Sequence, residues 1–352
     1  MKVAFVSWRD LANPNWGGSE VMVDRIAQGF VERGWDVSLL CAGPVAERPY
    51  RVIANGGRFD QYLRAPFAGQ QLRGADVVVD VSNGIPFFAP VWLRSPCICL
   101  VHHVHGDQWR DALPVPASAA GWFLERRVVP RMYRRFWSVS PSTTAGLRRL
   151  GIPRERIREV WNGIDVAGSP QADEDRSPTP LFVVISRLVP HKGVDRVLDA
   201  WRRVGPEIGG ELVVIGDGPL RSELESRGTP ATRFLGQADE ATKVELLRRS
   251  WALVHGAHHE GWGIVVMEAA AWGVPTIAFD VAGIRDAVVH DDTGLLAPDV
   301  VGLGEHLLSV ARCDDLRSRL GRKAWERASA LSWESCAESA AELVEATAER
   351  RW

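Results

Sequence analysis

The most specific cluster of reactive side chains is Glu260-Gly261-Trp262-Gly263-Ile264-Val265-Val266-Met267-Glu268. A loop carboxylate precedes two glycines, and an apolar helix carries a second carboxylate. If the whole span were helical, the two would be separated by a rise of about 12 Å. That is the scale of a sugar and a ribose joined through a diphosphate. Glu268 sits among Ile264, Val265, Val266, Ala269, Ala270 and Ala271. An ionisable group in so apolar a helix needs a partner. Sugar hydroxyls would supply one; a capping or salt-bridging role is the plainer alternative. Ser186-Arg187-Leu188-Val189-Pro190-His191-Lys192-Gly193 adds two cations, Arg187 and Lys192, on a short loop leading into a helix. Fixed cations at a strand end suit a diphosphate, whose charge they neutralise without a metal. The alternative is a solvated basic loop.

Gly17-Gly18-Ser19-Glu20 lies between a first strand and a first helix. Glycines there let backbone approach a ligand, and the helix N-terminus offers N–H groups to an anion. A tight turn capped by Ser19 is the alternative. Neither the dinucleotide Gly-x-Gly-x-x-Gly nor a P-loop Gly-Lys-Ser/Thr occurs, which speaks against a nicotinamide dehydrogenase. Val101-His102-His103-Val104-His105-Gly106-Asp107 invites a metal reading. However, His102 and His103 point to opposite faces of a strand, and His103 and His105 lack an evident third ligand. No metal site is expected. One histidine acting as a polar or proton-shuttling group is preferred. His258 and His259 read as packing residues of their loop. Asp173-Glu174-Asp175 matches Asp-x-Asp, a metal motif, but falls in a linker-like stretch and is set aside. Residues 122–137 interleave aromatics and arginines with a single acid, Glu125. A helix with one packed face and solvated arginines is the plainer account. The same pattern allows peripheral contact with an anionic membrane.

Elements must position these groups. Continuous apolar runs at 3–7, 35–41, 75–81, 97–102 and 136–140 predict buried strands. Helical patterns lie between them, through residue 31 and over 121–135, and Pro141 opens another. The pattern restarts with strands at 181–186, 211–215, 251–254 and 275–279, and helices at 194–204 and 243–249. Beyond Pro298 the chain reads as helical: 302–312, 316–330 and 333–351. Strands alternating with helices predict an α/β chain of two doubly wound, mostly parallel sheets. Residues 166–180 lose periodicity and read as a linker. Ligands of such folds bind at strand C-terminal ends, here expected in a cleft between two domains.

The size agrees. A chain of 352 residues exceeds what one core usually fills, so two domains are expected. Apolar residues at 46% and charged residues at 24% exclude a mainly disordered, collagen-like or coiled-coil protein. A net charge of -2 gives no reason to expect a nucleic-acid partner. Five cysteines without a Cys-x-x-Cys pair suit a reducing compartment. The N-terminus lacks a signal-peptide core, and no apolar run approaches the roughly 18 residues of a span. A cytoplasmic protein is the expectation, with peripheral contact at the inner membrane face as an option. The 15 tryptophans are read mainly as core. Trp16, Trp109, Trp122 and Trp262 are the ones placed to meet a ligand.

Taken together, these segments resemble the GT4 glycosyltransferases, a family of retaining enzymes with the GT-B fold. The resemblance runs over essentially the whole chain. It includes Gly17-Gly18-Ser19-Glu20, His102 after the strand opened by Pro96, and Trp161-Asn162-Gly163-Ile164-Asp165. It continues through Arg187, Lys192-Gly193, Val214-Ile215-Gly216-Asp217-Gly218-Pro219-Leu220 and the Glu260/Glu268 pair. The resemblance implies that Gly17 and Gly18 lie against the donor phosphates and that Arg187 and Lys192 hold the leaving diphosphate. Glu268 would bond the ribose. Glu260, with backbone N–H groups of Gly261, Trp262, Gly263 and Ile264, would meet the donor sugar. His102 would stand near the anomeric carbon and acceptor. His102, Arg187, Lys192 and Glu260 are thus the expected catalytic residues. No metal or cofactor is implied beyond a nucleoside diphosphate sugar as donor substrate, and the acceptor would be a glycan, a lipid or a small molecule. The expected domains are 1–165 for the acceptor and 181–331 for the nucleotide sugar, with a helix at 332–352 returning to the first. A nucleotide-sugar epimerase or hydrolase, or a non-catalytic partner subunit, is the alternative. Where many relatives have Gly-Gly-x-x-Glu, this chain has Ala282-Gly283-Ile284-Arg285-Asp286. Ala257-His258-His259 stands for a common Pro-Ser, and Trp262 for Phe. These departures bear on the identity of the donor sugar.

Overall fold

The apolar runs become strands of two wholly parallel sheets, in a computed structural model that describes residues 1–352 except 15, 58–59, 110–113, 167–174 and 350–352. The chain divides into two compact units: Met1–Gly163 with Trp333–Trp352, and Ile164–Ser332.

The first unit holds β1 (Lys2–Arg9), β2 (Asp36–Ala42), β3 (Arg51–Ala54), β4 (Val77–Ser82), β5 (Cys97–Val101), β6 (Arg135–Ser138) and β7 (Ile157–Glu159). Their order is β3-β2-β1-β4-β5-β6-β7. Strand order reverses between β1 and β4, so the loops after these strands diverge there and leave room for a ligand. β4 is buried throughout, as an apolar strand covered on both faces must be. Its one acid, Asp80, is satisfied by N–H groups of Phe87 and Ala89, each at 2.8 Å, and by the Tyr133 hydroxyl at 2.5 Å. Burial nevertheless pushes the carboxyl up to about 6.

The helix Trp333–Ala348 packs in this unit against the helix Gly18–Glu32. A Cβ on Gly29 would stand 2.6 Å from that of Ala337, so the crossing tolerates only glycine. Ala337, Ala340, Ala341 and Val344 complete the buried seam.

The second unit holds β8 (Leu181–Ile185), β9 (Glu211–Ile215), β10 (Thr232–Gly236), β11 (Ala252–His255), β12 (Thr276–Phe279) and β13 (Gly294–Ala297), ordered β10-β9-β8-β11-β12-β13. Order reverses between β8 and β11. Trp201 fills the core beneath β8 against Phe182.

Three details differ from the sequence reading. β3, β7, β10 and β13 escaped it, because they are four or five residues or fewer and carry glycine or exposed charge. The helix expected over 121–135 starts at Val115 and ends at Met132, passing through a π-turn at Leu124–Val128. That turn tucks Glu125 inward, where it accepts from the His105 and Gly106 N–H groups and from Trp109 Nε1. Of the expected linker 166–180, residues 167–174, with Asp173 and Glu174, lie outside the described residues. Arg176 is no loose linker residue: it is buried, donating to the Ser250 and Gly273 carbonyls. No described helix is long and apolar enough to cross a membrane.

Candidate active site

In the second unit, the loops after β8 and β11 bring two of the expected residues, Lys192 and Glu260, together. Leu188 N–H bonds the Asp217 carbonyl, and Leu220 N–H bonds that of Leu188. The glycines of Gly216-Asp217-Gly218 permit this. Added Cβ atoms would meet Ser186 O at 1.8 Å and Leu188 O at 2.4 Å. The loop thus anchored leaves Arg187 exposed, then makes a 3-10 turn at Pro190–Lys192. Gly193 follows with φ +56, and its Cβ position lies 2.2 Å from the Gly256 carbonyl. Gly256 in turn faces the Gly193 carbonyl, and His258 N–H bonds His191 O at 3.0 Å. The two loops are therefore pressed backbone to backbone.

This contact sets Lys192 Nζ 2.5 Å from Glu260 Oε2. Burial pushes the Glu260 carboxyl up, but Lys192 and His255 outweigh it and hold the group well below the usual carboxylate range. Glu260 is ionised at any ordinary pH. His258 and His259 do not pack in the loop as expected. Both are exposed, His258 turned to Arg196 at 3.1 Å.

The span from Glu260 to Glu268 is not wholly helical. Residues 260–263 form a loop, Gly263 is left-handed with φ +82, and the helix is Ile264–Ala271. The Val266 and Met267 N–H groups bond the Gly263 carbonyl, so the helix leaves those of Ile264 and Val265 without an intrahelical acceptor. The loop is held from behind by Gly283, whose Cβ position is 2.2 Å from the Glu260 carbonyl. Trp262 is buried, so its ring belongs to the core and only its backbone is available to a ligand. Glu268 has the partner its apolar surroundings demand: Lys243 Nζ at 3.0 Å, which also pairs with Glu240 at 2.9 Å. Burial pushes the Lys243 ammonium down, but the two acids outweigh it and hold it above the ordinary lysine value.

In the first unit, Gly17 precedes the helix Gly18–Glu32 at the end of β1. Ser19 is not the cap. Glu20 folds back and accepts from Gly17 N–H at 2.7 Å, while Ser19 Oγ accepts from Asn83 beyond β4. His102 follows β5 and is buried. Burial, then His103, pushes its imidazole down to about 3, so it is neutral. His103 and His105 stack at 4.1 Å, and His105 stacks on Trp109 at 4.6 Å. Trp109 is buried, whereas Trp16 and Trp122 are exposed. Among the described residues no group of three or more His, Cys, Asp or Glu could hold a metal ion.

Sequence reasoning missed Lys243, His255 and Gly256. Lys243 lies on a separate helix with no periodicity tying it to Glu268. His255 was cut off by a strand end placed one residue early.

The family described as Glycosyltransferase Family 4 matches residues 16–167, and that described as Glycosyl transferases group 1 matches residues 169–327. A glycogen synthase of Mycobacterium tuberculosis is 33% identical over 199 residues, covering 53% of this chain and 48% of the relative. A GDP-mannose-dependent alpha-mannosyltransferase of the same species is 34% identical over 234 residues, covering 63% and 58%. The chain thus spans about half the length of the curated relatives it matches. The crystal structure of Anabaena HepE in complex with UDP-glucose superposes with a TM-score of 0.79 at 17% identity, over 98% of this chain and 100% of that one. Two family matches that run almost without a break from residue 16 to residue 327, on two parallel α/β units, place the chain among the GT4-type glycosyltransferases of the GT-B fold.

Proposed function

We propose that the protein transfers a hexosyl group from a nucleoside diphosphate sugar to an acceptor hydroxyl on a glycan, lipid or small molecule. One observation carries the reading: Lys192 and Glu260, from the loops after adjacent strands, meet next to the N-terminal end of an apolar helix, with Arg187 exposed on the loop that carries Lys192. Arg187 and Lys192 neutralise the diphosphate and stabilise it as it leaves. Two such cations match that charge, so the reaction is assigned no metal. Glu260 and the N–H groups of Gly261, Trp262, Gly263 and Ile264 take the donor sugar, and Glu268 takes the ribose hydroxyls. On the family resemblance, Gly17 and Gly18 are assigned to the donor phosphates and His102 to the acceptor. His102 acts as a neutral imidazole, since burial keeps it unprotonated. Attack on the face the diphosphate leaves would retain the anomeric configuration.

Relatives named for GDP-mannose and UDP-glucose supply the first donors to try in a thermal-shift screen. With the donor found, Lys192→Ala and Glu268→Ala are expected to lower transfer by about a hundredfold or more. Near wild-type rates in both would overturn the site. Activity should survive EDTA, and NMR of the product should show the donor's anomeric configuration. Free sugar or an epimer formed without acceptor would replace transfer with hydrolysis or epimerisation.

We also propose that the exposed side of residues 122–134, with Trp122, Phe123, Arg126, Arg127, Arg131 and Arg134, rests on an anionic membrane surface; Tyr133, Phe136 and Trp137 are buried core residues and take no part, contrary to the expectation for the full span 122–137. Trp122 and Phe123 are exposed, and Arg126 stacks over Trp122 at 4.7 Å. Aromatic rings beside cations suit the headgroup region. Phosphatidylglycerol vesicles should co-sediment the protein and phosphatidylcholine vesicles should not. The double change Trp122→Ala, Phe123→Ala should abolish the difference.

A further inference from the structure

We infer that His255 is a positioning residue for Glu260: its buried imidazole stands behind the carboxylate and holds it when Lys192 turns to a donor diphosphate. This rests on the reading of Lys192 and Glu260 as donor-binding groups.

His255 is the last residue of β11 and is 4% exposed. Its Nε2 lies 3.6 Å from Glu260 Oε2, the same oxygen that Lys192 takes at 2.5 Å. The other oxygen, Oε1, faces the Gly261 N–H at 3.3 Å. On the far side of the ring, Nδ1 is buried without a hydrogen-bond partner. That asymmetry selects the tautomer. A proton on Nδ1 would bury an N–H with no acceptor, which leaves its desolvation uncompensated. A proton on Nε2 points at a carboxylate, and the bare Nδ1 lone pair is the smaller loss. A leucine would fill the strand end without stranding any nitrogen. What the imidazole adds is a donor aimed at Glu260.

The need for that donor follows from the two demands on Lys192. Its ammonium, 2.5 Å from Glu260, has three N–H donors, and closing on a diphosphate shares them or draws them away from Glu260. When it moves, Oε2 keeps His255, and the 3.6 Å contact can shorten to a hydrogen bond. Oε1 then stays directed at the donor sugar. Without His255 the carboxylate would be free to follow Lys192 and leave the sugar.

The test has two arms. In the free protein, the imidazole 15N shifts of His255 should show the neutral Nε2–H tautomer, and Glu260→Gln should move them. An Nδ1–H tautomer overturns the inference. With donor, His255→Leu and His255→Gln are compared with wild type on UDP, UDP-glucose and UDP-N-acetylglucosamine, and on GDP and GDP-mannose. His255→Leu should leave the affinity for the bare nucleotide diphosphate within about twofold, yet raise KM or lower kcat for the matching sugar donor by about tenfold or more. His255→Gln, which keeps a donor, should recover most of that loss. Equal weakening of nucleotide and nucleotide sugar, or a lowered Tm with unchanged kinetics, overturns the positioning role. If wild type neither binds nor turns over any of these donors, the proposed function itself falls, whatever tautomer is seen.

Discussion

The neutral state of His102 has a measurable consequence. An imidazole in the unfolded chain takes its proton near 6.5, whereas burial in the fold, then His103, pushes that of His102 down to about 3. The native state therefore binds fewer protons between these values. Stability from this group is present above 6.5 and is lost as pH falls towards 3, by up to about 1.4 kcal/mol per pH unit. Replacing it by glutamine removes the titration. Urea unfolding of wild type and His102→Gln at pH 7.5, 6 and 5 should show wild type losing ground steadily with acid. A difference that does not change with pH would place the proton elsewhere. Glu260, held low by Lys192 and His255, stays ionised in the fold across that window, and its contribution has the same sign, lost only as pH falls below the ordinary carboxylate range. Arg187, Lys192, Glu260 and Glu268 stand out in the sequence because each is a charge beside apolar or glycine-rich segments, and the structure pairs Lys192 with Glu260. Their other partners do not. Lys243 is an ordinary helix lysine, and His255 is one histidine of three within five residues, until strand order shows what each faces.

At the level of elements, the site depends on glycines that let loops touch. Gly193 and Gly256 bring the β8 and β11 loops into backbone contact, and Gly283 supports the Glu260 carbonyl. Gly193→Ala should combine left-handed strain with a clash against Gly256 O. Gly209, with φ +70 and nothing near its Cβ position, isolates the strain alone, about 1–2 kcal/mol. Gly193→Ala is thus expected to lower Tm more than Gly209→Ala and, unlike it, to weaken nucleotide binding. Equal effects in both assays would show that the loops separate at little cost. The long apolar strands and the Gly18–Glu32 helix could be read from periodicity, because one residue pattern maps to one buried face. The Glu260–Glu268 span could not. Its two glycines allow a loop as readily as a helix, and only packing against Gly283 and Ile284 decides between them.

For the whole molecule, composition and length led to two units; Gly17, Lys192 and Glu260 follow strands that flank a reversal of strand order, and His102 follows the next strand along, β5. What length could not show is that one unit is discontinuous. The first sheet is built from residues 2–159, yet its covering layer includes the helix Trp333–Ala348, seated on Gly29. On a ribosome, where chains emerge at roughly 5–20 residues per second, the order of completion is then inverted. The unit begun first must wait, with the apolar seam around Gly29 uncovered, until the second unit has been made. A nascent chain arrested just after residue 332 and extended by an unstructured tether should show a protease-resistant second unit and a cleavable first one. Adding the last helix in trans, as a peptide of residues 333–348, should restore resistance to the first. The final helix acts as a latch on synthesis: the Gly17 and His102 loops rest on a finished scaffold only after the chain carrying Arg187, Lys192 and Glu260 already exists.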